Sequence, residues 1–446
     1  MSVPGPVVDE PLDSGPAAST VRRWRVHRAW LVAAVTFVTM LGAAAFRAVP
    51  SVFMDPLHME FGWSHATVGA AMSINMVLFG LMSPFAAALM DRFGIRPVVC
   101  VALVLVAAGS GLTVFMTASW QLLLCWGLLV GVGTGSMSMA FVATVSTRWF
   151  VARRGLVSGI LTAANATGQL IFLPLVASLT TQHGWRPAAV TVAVAALAVI
   201  PLVLILMRDH PHDLGLTAFG ATEADPGPPP AARTGSSAAL AVRALLLAAR
   251  TRPFWLLAGS FAICGATTNG LIATHFIPAA HDHGMPITVA AGLLAVVGVF
   301  DVCGTVASGW LTDRFDPRLL LVGYYLGRGL SLLALPSLLA PHTNPSTWVF
   351  ILFYGLDWVA TVPPTVALCR QYFGDRAPVV FGWVFAAHQV GAALAAAGAG
   401  FIRDVNGSYD LAFYLGAGLC AGAAAMCTVI RGRSTAGAEV LEPATA

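Results

Sequence analysis

Met90-Asp91-Arg92-Phe93-Gly94-Ile95-Arg96 returns 222 residues later as Thr312-Asp313-Arg314-Phe315-Asp316-Pro317-Arg318. Each copy is a short charged turn between two long apolar runs. The same offset relates Pro56, Glu60 and Gly62 to Pro278, Asp282 and Gly284, and Arg148 and Arg154 to Arg370 and Arg376. The repeat unit is therefore half the chain, and a duplication on this scale requires two similar structural units.

The content of each unit is membrane helix. A bilayer span needs about 20 predominantly apolar residues. Twelve such runs occur: 30–52, 66–90, 97–116, 120–145, 156–180, 187–207, 253–280, 287–311, 319–340, 346–369, 379–402 and 409–430. The first six map onto the last six at the repeat offset, slipping by one residue in the fifth. Apolar residues make up 57% of the chain and charged ones 10%, against about 25% charged in a soluble domain. The expected fold is an all-α membrane protein of twelve transmembrane helices in two pseudo-symmetric six-helix bundles, 30–207 and 253–430. Residues 1–29 and 431–446 read as polar tails, the first disordered. Residues 208–252 read as a linker, where Asp225-Pro226-Gly227-Pro228-Pro229-Pro230 excludes helix. The stretch from Ala238 to Arg250 reads as an interfacial helix.

All 24 basic residues are arginine. Twenty fall in the tails, the linker and alternate loops on one side; only Arg186 and Arg403 fall on the other. The positive-inside rule then places both termini in the cytoplasm, as a multi-pass protein of a bacterial-type plasma (inner) membrane. This asymmetry accounts for the net charge of +4, so no nucleic-acid partner is implied. The seven cysteines lie within apolar runs and lack metal-ligand spacing, so no metal is expected. No catalytic constellation and no phosphate-cradling loop is present. An enzyme, a cofactor and an ATPase are not expected, and the energy for any transport must come from a gradient.

Charges inside the spans cost about 2.5–3.5 kcal/mol each at a helix centre and require a reason. Asp301 in span 8, Arg328 in span 9 and Asp357 in span 10 fall at one depth, counted from the turns that join these helices. Two acids with one arginine leave one carboxylate without a full partner, which suits a proton carrier. A permanent ion pair that fixes packing is the alternative. Arg47, late in span 1, suits an anion attractor or an arginine reaching outer headgroups. His388 in span 11 and Asn165 in span 5 occupy corresponding positions and suit cavity lining. The repeated turns suit a gate: Asp91 and Asp313 at helix ends favoured by the dipole, with Arg92, Arg96, Arg314 and Arg318 clamping neighbouring helix ends and Arg148 and Arg370 as partners.

Asp91-Arg92-x-Gly94-x-Arg96 resembles the loop signature of the major facilitator superfamily, with Ala87 in place of a glycine that the second copy keeps as Gly309. Glu60-Phe61-Gly62-Trp63-Ser64, Trp149-Phe150-x-x-Arg153-Arg154-Gly155-Leu156-x-x-Gly159-Ile160 and Pro211-x-Asp213-Leu214-Gly215-Leu216 are similar to segments of its monocarboxylate and oxalate/formate branch. The resemblance implies a small organic anion moved with a proton or against a counter-substrate, by alternating access, in a monomer whose partners are substrate and lipid. The sequence departs from that branch in two places. His27-Arg28-Ala29-Trp30 replaces its acidic entry signature, and Thr305 stands where the resemblance implies a substrate-binding arginine one turn after Asp301. An exporter of amphipathic compounds, a neutral-solute carrier and, remotely, a membrane sensor remain as alternatives.

Overall fold

The computed structural model describes residues 27–430 apart from Ser64, 223–235, His342 and Asn344. The tails 1–26 and 431–446 lie outside the described residues. The described residues are almost entirely helical. Span 1 is Arg28–Phe61, span 2 His65–Phe93, span 3 Ile95–Thr113, span 4 Ser119–Trp149, span 5 Arg154–His183 and span 6 Trp185–Leu206. Span 7 is Arg252–Asp282, span 8 Ile287–Thr312, span 9 Pro317–Leu338, span 11 Ala377–Asn406 and span 12 Asp410–Val429. Span 10 consists of two pieces, Pro345–Asp357 and Val362–Phe373. Together these make two six-helix halves.

Between helices inside a bilayer apolar burial gives little drive, so close approach through small residues matters more. Span 4 follows this rule. A methyl group on Gly133 would lie 2.7 Å from the Ala102 carbonyl of span 3, and one on Gly135 would lie 2.9 Å from the Leu78 carbonyl of span 2. Single glycines join spans 2 and 3 (Gly94, φ 92°) and spans 5 and 6 (Gly184, φ 86°), a left-handed geometry that side chains rarely adopt. At Gly94 a side chain would also strike the Asp209 carboxylate, which accepts the Arg96 N–H at 3.0 Å and so caps span 3. In the second half the residue corresponding to Gly94 is Asp316, which caps span 9 itself by accepting the Arg318 N–H at 2.9 Å.

The halves meet along two seams, spans 5 with 8 and spans 2 with 11. Gly159 and Gly382, equivalent positions in the repeat, each face the other half. Methyl groups there would lie 2.6 Å from the Thr305 carbonyl and 2.5 Å from Pro84 Cα. The face away from the arginine-rich loops carries an exposed arginine–carboxylate pair in each half. Glu60 holds Arg186 at 2.6 Å, and Asp282 holds Arg403 at 3.0 Å. The two arginines on the sparsely basic side are thus each neutralised by one of the two repeated acids.

Candidate functional site

Span 10 is not the continuous helix that its apolar run suggests. Pro363 and Pro364 have no N–H, so the carbonyls of Val359 and Ala360 lose their helical donors, and residues 358–361 unwind. Buried backbone groups at such a break need partners, and Arg328, Asp301 and Ser308 supply them. Arg328 donates from all three nitrogens: Nε to Asp357 Oδ2 at 2.7 Å, Nη2 to the Asp357 and Trp358 carbonyls at 2.6 and 3.2 Å, and Nη1 to Cys264 Sγ at 3.0 Å. Asp301 Oδ1 accepts the freed Val359 N–H at 3.1 Å and the Thr305 hydroxyl at 2.7 Å. Ser308 donates to the Ala360 carbonyl at 2.5 Å. Arg328 is 1% and Asp301 3% exposed. Arg328 is thus committed to Asp357 and the broken backbone, while Asp301 is held by dipoles and not by an arginine. Asp357 Oδ1 is buried without a hydrogen-bond partner.

Span 4 breaks at the equivalent place. Met137 and Ser138 leave the helix, and they precede Val359 and Ala360 by the repeat offset of 222. Here there is no charge. Ser138 donates to Ser83 Oγ at 2.8 Å, and Gly133 and Gly135 let spans 2 and 3 close over the break. Broken helices in corresponding positions of two halves point to a transporter's central region. The Pro363-Pro364 pair is the sequence signal for the second-half break. The first has only a glycine- and serine-rich stretch. Cys264, read from sequence as packing, touches both Arg328 and Thr361 Oγ1, the latter at 3.2 Å.

The arginine-rich ends of the halves are held together. Asp313, at the end of span 8, accepts the Gly155 and Leu156 N–H groups of span 5 at 2.7 and 2.8 Å. A carboxylate on two free donors of a helix start is a favourable pairing with the dipole. Asp91 differs: it forms a hydrogen-bonded ion pair with Arg148, inside the first half. The position corresponding to Gly155 is Pro378, which has no N–H to offer. Arg96 and Arg318 take equivalent places, donating to the Leu204 carbonyl and, at 3.0 Å, to the Ile430 carbonyl, and so tie down the sixth helix of each half. Hydrogen bonds from Arg318 hold the Asp316 carboxyl below its usual range. Arg92 and Arg314 lie over the rings of Phe93 and Trp310, at 4.9 and 3.9 Å. Arg370 stands half-buried at the end of span 10.

Of the remaining sequence candidates, His388 adjoins the Arg328 cluster, hydrogen-bonded to Cys264, and the others scatter. The Arg47 and Gln169 side chains lie outside the described residues. Asn165 is half-buried on span 5. His388 is buried on span 11, its ring stacked on Phe385 with Nδ1 3.3 Å from Gln389 Oε1. Asn75 donates to the Trp126 carbonyl at 2.8 Å, beside the wide helical turn Leu123–Val130, so its role is local.

Two six-helix halves, related by a sequence repeat and closed over paired helix breaks, define a multi-pass membrane transporter. The chain belongs to the Major Facilitator Superfamily, whose sequence profile matches residues 32–396, and it resembles that superfamily's monocarboxylate branch. It is 30% identical over 406 residues to monocarboxylate transporter 11 of Mus musculus, covering 86% of this chain and 83% of that one. It is 29% identical over 391 residues to monocarboxylate transporter 13 of Rattus norvegicus, covering 85% and 83%. It is also 26% identical over 402 residues to the uncharacterized MFS-type transporter YcxA of Bacillus subtilis (strain 168), covering 86% and 90%. In fold it is similar to the proton:xylose symporter XylE bound to 6-bromo-6-deoxy-D-glucose, with TM-score 0.66 and 14% identity over 89% of this chain and 94% of that one. It is likewise similar to FucP in its outward conformation, with TM-score 0.62 and 18% identity over 90% and 99%.

Proposed function

We propose that this chain moves a small organic anion of the monocarboxylate type together with a proton, by alternating access between its two halves. The observation that carries the reading is Asp301. It is a buried carboxylate at the closed break of span 10, held by a hydroxyl and an amide while the neighbouring arginine is fully engaged with Asp357. Such a group takes up a proton at less cost than one locked to a guanidinium. The similarity to monocarboxylate transporters supports the substrate class. In this reading His388 and Asn165 line the path and Arg47 draws anions to its mouth. Asp313 and the repeated arginines form the gate. The halves are 30–207 and 253–430, joined by the linker 208–252. The protein is a monomer in a bacterial-type plasma membrane, and its arginine-rich face and both termini are cytoplasmic.

The test is uptake of labelled monocarboxylates into proteoliposomes under an imposed pH gradient. Both hydrogen bonds of Asp301 fall on Oδ1, an oxygen that an amide also provides, so Asp301→Asn keeps the fold. It is expected to keep counterflow exchange and to lose gradient-driven accumulation. Accumulation equal to the parent's refutes proton coupling through Asp301. A second reading, a carrier of neutral solutes, is favoured by the full engagement of Arg328 and by Thr305 at the position of the family's arginine. Counterflow by a neutral solute, with no competition from monocarboxylates, selects it.

A further inference from the structure

The helix Ser237–Ala248 belongs to neither half in sequence, yet it touches both in space. Its buried residues Ser237, Ala241, Ala244 and Ala248 form one stripe at helical spacing. That stripe packs against span 2 of the first half and span 11 of the second. Trp383 of span 11 donates its indole N–H to the Ala241 carbonyl at 3.0 Å. The same indole packs edge-on against Phe85 of span 2, centroids 5.7 Å apart. The helix therefore lies across the seam between spans 2 and 11, at its arginine-rich end.

Its other face is exposed and mixed, with Ala239, Val242, Arg243 and Leu246, and Arg250 is exposed in the turn that follows. Val242 is 42% and Leu246 60% exposed. Apolar residues interleaved with arginines on an unpartnered face suit a bilayer surface better than bulk water. A second observation fixes the depth. Trp255, in the first turn of span 7, is 61% exposed and donates its indole N–H to the Ala249 carbonyl at 2.7 Å. An exposed tryptophan at the end of a span marks the headgroup level, and this one is bonded to the end of the linker helix.

We propose that this helix binds anionic lipid headgroups through Arg243 and Arg250, with Val242 and Leu246 entering the upper acyl region, and thereby holds the span 2–11 seam closed. The alanine stripe is buried while Arg243 and Arg250 are exposed, so lipid and protein contacts are made together. A ligand that binds one conformation better shifts the population toward it, and here that conformation is the one closed at the arginine-rich end. The occupant is the bilayer because the chain resides in it, Trp255 sets the helix at headgroup depth, and basic side chains there are attracted to anionic lipid.

The test is hydrogen–deuterium exchange of the full chain in nanodiscs of phosphatidylcholine alone and of phosphatidylcholine with one-third phosphatidylglycerol. With phosphatidylglycerol, amides of 237–248 are expected to exchange up to roughly thirtyfold more slowly, as two arginines at a charged surface imply. The end of span 2 over 85–93 is expected to slow with them. The double variant R243Q/R250Q, altered only at exposed positions, is expected to lose this difference while exchanging like the parent in phosphatidylcholine. Equal exchange in both lipids overturns the proposal. Protection confined to 237–248 overturns the coupling to the seam. Equal protection by glycerol phosphate added to phosphatidylcholine discs overturns the assignment to lipid.

Discussion

Arg328→Leu removes the group that makes the largest share of the bonds at the break in span 10. Three of its partners stay behind in a buried setting: the Asp357 carboxylate and the carbonyls of Asp357 and Trp358. Breaking a buried ion pair from one side costs about 3–5 kcal/mol, and each orphaned carbonyl adds about 1–3 kcal/mol. Asp357 Oδ1 already has no partner, so the carboxylate has no second bond to fall back on. The loss is at least about 5 kcal/mol, a large part of a typical folded-state margin of about 5–15 kcal/mol. At about 2 °C per kcal/mol for a large domain, purified protein in detergent is expected to melt on the order of 10 °C lower, or not to be recovered as a monodisperse peak. Arg328→Lys keeps the charge without the planar fork and is expected to fall between. An Arg328→Leu protein that elutes as a single peak and melts within about 3 °C of the parent refutes the account of the break.

Asp313→Ala removes a carboxylate from two N–H donors at the start of span 5, worth about 0.3–2 kcal/mol. It is expected to raise labelling of cysteines placed at the arginine-rich end up to about thirtyfold, whereas Asp91→Ala, acting inside one half, changes it less; the reverse order counts against the latch. Gly159→Val drives a side chain into the Thr305 carbonyl and Gly309, and is expected to give the same increase in labelling by holding the span 5–8 seam apart, while labelling at the parent's level would show that the seam tolerates the bulk. His210, just after span 6, is held neutral by burial and by the positive charge of Arg148, which bring its pKa down to about 4. Its folded pKa lies below the unfolded value near 6.5, so the unfolded chain binds more protons between these values and stability falls as pH drops from about 6.5 to about 4. His210→Gln is expected to flatten that part of a melting-temperature profile, and a profile of unchanged slope assigns the acid sensitivity elsewhere.

The sequence by itself determined the architecture. Twelve apolar runs, an arginine count that alternates by loop and a repeat of constant offset admit one kind of fold, because in a bilayer the backbone must satisfy itself within each helix. It also determined that Asp301, Arg328 and Asp357 share a depth, since helix rise converts residue number into height. Only tertiary structure decided how those charges are partnered. Depth says nothing of which face of a helix a side chain takes, and two of the partners of Arg328 are backbone carbonyls that exist as acceptors only because span 10 unwinds. The same holds at the gate. Asp91 and Asp313 are identical in the repeat, yet one binds Arg148 within its half and the other crosses to span 5, where one of its two N–H donors, Gly155, has as counterpart Pro378, which has none. A repeat in sequence thus set two similar frames, and the neighbours that each frame brought within hydrogen-bonding distance set the different work of equivalent residues.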